Sequence, residues 1–97
     1  MTAQNIKFKI APILKSQGVI KASLFGSFAR GENTRNSDVD ILVKLASGKT
    51  LFDLVGLKME LEDALGKKVD VLTYNSIHPL LRKNILKDEK VIYEKRS

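Results

Sequence analysis

Apolar residues recur along this chain in two alternating rhythms, one of period near four and one of period two. Ile6, Ile10, Ile13 and Leu14 return at helical spacing, which predicts an amphipathic N-terminal helix. Pro12 lies within that stretch and should either kink the helix or mark its first turn. Gly18 closes it. The period then falls to two: in residues 19–25 (VIKASLF) Ile20, Ala22 and Leu24 share one face, and Lys21 and Ser23 the other. Residues 26–37 (GSFARGENTRNS) read as a polar loop with a short helical turn starting at Ser27. Residues 38–45 (DVDILVKL) predict a second strand. Val39, Ile41, Val43 and Leu45 point one way; Asp38, Asp40, Leu42 and Lys44 point the other.

Ser47, Gly48 and Lys49 make a turn, and Thr50 with Asp53 resembles a capping box. Leu54, Leu57, Leu61 and Leu65 line one face of the helix that follows, which Gly66 stops. Residues 68–74 (KVDVLTY) predict a third strand, with Asp70 and Leu72 on one face. Ser76 is expected to cap a last helix, with Pro79 in its first turn and Leu81 and Ile85 at helical spacing. Leu80 is expected to pack in the core, and His78 to serve as a helix-start residue. Residues 90–94 (KVIYE) form a short closing strand. The order α-β-(α)-β-α-β-α-β predicts one α/β (α+β) domain over residues 1–97. Because the first two strands each carry an apolar and a more polar face, helices should cover chiefly one side of the sheet. Connections alone leave the strand order open.

Composition narrows the picture in three ways. A chain of 97 residues, 43% apolar, has material for one hydrophobic core. Without cysteine it has neither a disulfide nor a thiolate metal site, in keeping with a reducing cytoplasm. No stretch resembles a signal peptide or is long enough to cross a bilayer, so no membrane role is expected. The net charge of +6 suits nucleic acid, nucleotide phosphates or an acidic protein partner, and does not choose among them. Most of the lysines are scattered, and no basic patch interleaved with aromatics offers a base-stacking surface, which disfavours nucleic acid.

The candidate chemistry starts from Asp38 and Asp40. Two apart on a strand, they share a face at roughly 6–7 Å. Their mutual repulsion is resolved by a divalent cation between them, and Mg²⁺ suits oxygen ligands that leave room for water and phosphate. If the third strand neighbours the second, Asp70 joins them, and three carboxylates could hold two metals about 3.5–4 Å apart. Asp70 is then the natural group to orient or deprotonate a nucleophile. An Asp-x-Asp pair alone is a weak signal, common on surface strands. The segment before it strengthens the case: Gly26 permits close backbone approach, Ser27 offers a hydroxyl to a phosphate, and Arg30 stands one turn later. The simpler alternative is an ordinary strand connection in which Arg30 pairs with Glu32. A Gly-Lys-Ser/Thr ending is missing, so the loop is not a P-loop.

Taken together, Gly26-Ser27, Ala29-Arg30-Gly31 and Ser37-Asp38-Val39-Asp40 resemble the signature of the DNA polymerase β-like nucleotidyltransferase superfamily. Chain length and the late Asp70 resemble its minimal nucleotidyltransferase (MNT) subfamily of antitoxin type. The resemblance implies a small mixed sheet with helices chiefly on one face, Mg²⁺ (two ions), and a nucleoside triphosphate, usually ATP. It implies transfer of NMP to a hydroxyl with release of pyrophosphate. It places Gly26, Ser27, Arg30 and Ser37 at the nucleotide, and Asp38, Asp40 and Asp70 at the metals and the reaction. About 23 residues follow the third strand, too few for a separate acceptor domain, so a partner chain, a dimer or an open surface should present the acceptor. Minimal members resemble antitoxins that add AMP to a tyrosine of a HEPN-domain toxin. Two other readings stay open. One is an antitoxin that masks its partner by contact, through exposed apolar residues such as Phe28 or Leu80. The other is a transferase acting on RNA or a small molecule.

Overall fold

In the computed structural model, which describes residues 1–95, the expected alternation of elements is present. The order is α1 (Ala3–Ser16), β1 (Val19–Phe25), α2 (Gly26–Arg30), β2 (Val39–Leu45), α3 (Leu51–Leu65), β3 (Val69–Thr73), α4 (Pro79–Lys87) and β4 (Lys90–Glu94), with a 3-10 turn at Tyr74–Ser76. The sheet is mixed, in the order β3-β2-β1-β4. β1 lies between β2 and β4 and runs antiparallel to both, while β2 and β3 are parallel and joined through α3. α1 and α3 pack on one face. Ile6, Ile10, Leu14, Leu57 and Leu61 there meet Ala22, Leu24, Val39, Ile41, Val43 and Val69 in a single core. These are the positions whose periods of four and two were apolar, so burial follows the patterning.

Local chemistry sets the element ends. Thr2 caps α1 by accepting the Asn5 N–H. Pro12 neither begins nor breaks that helix, which runs on to Ser16. A capping box of Thr50 and Asp53 starts α3, and Gly66, at a φ of 64°, ends it in the left-handed conformation that glycine adopts without Cβ strain. Ser76 does not cap α4. It closes the 3-10 turn, where its hydroxyl donates to the Thr73 carbonyl, while His78 caps α4 by accepting the Leu80 N–H at Nδ1, 3.1 Å away. Pro79 follows, where its missing N–H costs nothing. Asp38 precedes β2 instead of opening it.

The opposite face is partly covered. Residues 74–89 carry the chain from the β3 edge to the β4 edge, and the 3-10 turn packs on β2. Leu42, on the more polar side of β2, is fully buried there, as is Ser23 on β1. Two burial expectations fail. Leu80 is 82% exposed, because α4 buries none of its residues. Phe28 is 3% exposed, because the five-residue α2 turns it into the core beside β1 and β2.

Candidate active site

One end of the sheet gathers the residues that the sequence singles out. Phe25 at the end of β1 pairs with Asp40 on β2, and Asp40 is the in-register neighbour of Asp70 on β3. Parallel pairing in register puts both carboxylates on the same face. Asp70 therefore stands next to Asp40 across the β2–β3 pairing. Burial pushes the Asp40 carboxyl up to about 6, and the charges of Asp70 and Asp38 push the same way, with Arg30 opposing. Asp38 stands further out, exposed at the foot of β2. Among the described residues, no three acidic or histidine side chains close into a preformed metal cage.

Gly26 explains how the loop comes so near. Its φ of 71° lets the chain leave β1 and turn at once into α2, and a Cβ built there would collide with the Asp40 carboxylate. The backbone therefore passes directly over the carboxylate that the sheet places beside Asp70. Ser27 follows, half-buried, in the first turn of α2. Gly31, at a φ of 73°, ends α2 with its N–H donating to the Ser27 carbonyl. The 31–38 loop is tied down at two points. The Ser37 hydroxyl accepts the Thr34 N–H at 2.8 Å, and Lys67 Nζ donates to the Arg35 carbonyl at 2.6 Å. Ser37 thus shapes the approach to Asp38 from within the loop.

Arg30 is engaged by protein carboxylates. Its Nε donates to Glu32 Oε1 at 2.9 Å and its NH1 to Asp88 Oδ2 at 3.0 Å. Asp88 lies at the end of α4, so this pair ties α2 to the last helix. The adjacent Glu89 makes a second tie. Its Oε2 accepts the Ser23 hydroxyl at 2.7 Å and the Tyr74 hydroxyl, and Lys21 Nζ lies 3.8 Å away. Burial and the Glu89 contact push the Tyr74 phenol up to about 12. Burial alone would raise Glu89, but hydrogen bonds from Tyr74 and Ser23, with Lys21 nearby, hold it below its ordinary value. Sequence reading missed Asp88 and Glu89 as parts of the site's frame. They lie 58 and 66 residues from their partners Arg30 and Ser23, and no local pattern connects them.

Comparison with known proteins shows the family. Residues 8–97 match the family described as polymerase beta, nucleotidyltransferase. The chain belongs to that family. Among its relatives is a candidate protein adenylyltransferase of Methanocaldococcus jannaschii, 60% identical over 88 residues, covering 91% of this chain and 95% of the relative. Among solved structures, a candidate minimal nucleotidyltransferase superposes with a TM-score of 0.79 at 32% identity, covering 93% of this chain and 95% of the other. A toxin–antitoxin crystal structure with AMP-PNP matches with a TM-score of 0.78 at 27% identity, covering 93% of this chain and 74% of the other. The nucleotidyltransferase fold expected from the glycine–serine and Asp-x-Asp motifs is the fold observed.

The donor set of this nucleotidyltransferase fits Mg²⁺. Asp40 and Asp70 present hard oxygen donors side by side, next to a backbone turn at which an added Cβ would meet the Asp40 carboxylate. Mg²⁺ keeps several waters and substrate oxygens and needs only one or two carboxylates from protein, so a complete cage is not required.

Proposed function

We propose that this chain moves AMP from ATP to a hydroxyl of a partner protein, and that it acts in this way as the antitoxin of a HEPN-domain toxin. The juxtaposition of Gly26, Asp40 and Asp70 carries the reading. It sets a close-approaching backbone turn against paired carboxylates at one end of the sheet. The relatives named as adenylyltransferases support the adenylyl group, and the toxin–antitoxin structure with AMP-PNP supports nucleotide and partner. The HEPN class of the partner follows from the motif resemblance.

In this reading Gly26 and Ser27 receive the triphosphate, Gly26 by letting the phosphates approach the backbone and Ser27 through its hydroxyl. Asp38, Asp40 and Asp70 hold Mg²⁺, two ions in the full complex, which would offset the triphosphate charge. Asp70 orients the acceptor, a tyrosine hydroxyl, and takes its proton. The acceptor oxygen bonds to the α-phosphorus as the bond from that phosphorus to the bridging oxygen breaks, and pyrophosphate leaves with the electron pair. Arg30, held by Glu32 and Asp88, acts on the nucleotide by fixing the loop, and Ser37 acts likewise. A cytoplasmic setting agrees with a cysteine-free chain that draws on ATP.

The test is incubation of the chain with labelled ATP, Mg²⁺ and the toxin partner. Label should appear on a partner tyrosine and vanish in Asp38→Asn and Asp40→Asn. A second reading, neutralisation by contact alone, is favoured by the exposed apolar residues Phe8, Phe52, Met59 and Leu80. If the two Asn variants neutralise the partner as fully as the wild type, contact is the mechanism. Label on RNA in place of protein would sink both.

A further inference from the structure

The sheet face that carries Asp40 also carries a second, differently charged site at its far end. Lys44 lies four residues along β2 from Asp40, ~13 Å away on an extended strand, and pairs across the sheet with Lys21 of β1. These two line a concavity of about 730 Å³ with Lys49 of the β2–α3 turn and Arg82 of α4, and among the described residues Glu94 is the one carboxylate on its wall. Like charges directly opposite each other on a sheet repel. Lys21 is compensated, by Glu89 at 3.8 Å and by the Tyr74 ring at 5.4 Å. Arg82 is oriented by one bond, from NH1 to the Tyr74 carbonyl at 3.1 Å. Among the described residues Lys44, Lys49 and Arg82 have no carboxylate within ion-pair distance. The fold thus gathers net positive charge in a hollow at the end of the sheet face remote from the paired carboxylates.

We propose that this basin is a docking site for an acidic segment of the partner protein, and that it sets the distance between that segment and the acceptor hydroxyl. The identity of the partner rests on the proposed function; the basin does not. Charge complementarity selects the occupant, since cations that line one open hollow suit clustered Asp and Glu side chains. A single-stranded nucleic acid would call for a stripe of phosphate contacts with free aromatic faces on which its bases stack. The aromatic here, Tyr74, has its ring beneath Lys21 and its hydroxyl bonded to Ser23 and Glu89. The fully buried Leu42 lies between Asp40 and Lys44 on this face. A partner held at the basin therefore spans that interval and presents its acceptor about 13 Å away, one sheet-strand segment of four residues. Such steering raises association rate and specificity more than it raises intrinsic reactivity.

The experiment measures the affinity of the intact chain for its purified toxin partner by calorimetry, at low and high salt. Lys44→Glu/Lys49→Glu and, separately, Arg82→Gln are compared with the wild type. All three side chains are exposed, and circular dichroism confirms that each variant is folded. The double variant should bind the partner at least tenfold more weakly with a flatter salt dependence, and Arg82→Gln severalfold more weakly. Affinity for ATP should stay within twofold of the wild type. Partner affinity unchanged in both variants overturns the proposal. So does a parallel loss of ATP affinity, which would make these cations part of the nucleotide site, and so does loss of RNA binding with partner affinity retained. If the wild type binds its partner through the basin but transfers no AMP to it, docking stands and the transfer reading falls.

Discussion

Gly26 does the most with the fewest atoms. At a φ of 71° and against Asp40, it has room for neither a side chain nor the ordinary backbone of other residues. Gly26→Ala should cost about 1 kcal/mol for the left-handed conformation alone. It should also lower AMP transfer by roughly 100-fold, because ångström-scale misplacement of reacting groups has that effect. Single-turnover labelling checks this, and a rate within a few-fold of the wild type would remove Gly26 from the site. Asp40 illustrates the opposite bargain. Asp40 is partly buried beside Asp70, with the charge of Asp38 also against it, so Asp40→Asn should raise Tm in the absence of divalent ions while abolishing transfer. Thermal unfolding in chelator measures the first half, and a lower Tm would contradict it. Glu89 makes acid stability titratable. Its folded-state value is depressed, so its contribution is complete above the unfolded carboxylate value of about 4.3 and is lost as pH falls through the folded value. In urea titrations Glu89→Gln should therefore be less stable than the wild type near neutral pH, with the gap closing below about pH 4.

The elements divide into those their own residues announce and those decided at a distance. β1 falls where period-two alternation placed it, except that a register shift between Val19 and Lys21 buries Val19 and leaves Ile20 half-exposed. α3 was legible through Leu57, Leu61 and Leu65, and through a capping box and a glycine stop that act within a few residues. Leu61→Ala should cost about 2–5 kcal/mol and lower Tm by at least about 10 °C, since that side chain is wholly buried. α2 and α4 were only half legible. With five residues α2 has no period to detect, so Phe28 reads as a loop aromatic although it fills the core. α4 has the right spacing but buries none of its residues, and Leu80 stays outside. At the site, the motif residues were visible as a pattern, and Asp70 became a neighbour of Asp40 only through strand order. The Arg30–Asp88 tie was invisible, being purely tertiary. Charge reversal tests it. Arg30→Asp should raise the KM for ATP severalfold, and adding Asp88→Arg should recover most of that loss; no recovery would mean that Arg30 acts alone.

For the molecule as a whole, the two faces of the sheet have separate duties. One is filled by α1 and α3 and supplies stability. The other carries carboxylates at one end, a basic basin at the other and a buried strip between them. That division keeps the chemistry away from the core, so substitutions at the site should change activity more than cooperativity of unfolding. The outer side of α3 adds Leu51, Phe52, Val55 and Met59, all exposed, which form an apolar stripe alongside the packed one.

The position of β1 between β2 and β4 has a consequence for how the protein is made. The strand synthesised first lies between the second and the last, so one of its edges stays unpaired until residues 90–94 leave the ribosome. Ser23, wholly buried in the finished sheet, meets Tyr74 first and gains its second partner, Glu89, only just before β4 is made. An exposed edge on a nascent chain invites chaperones and proteases before the fold closes. A chain halted before residues 90–94 emerge would carry every motif residue and no completed sheet to hold them.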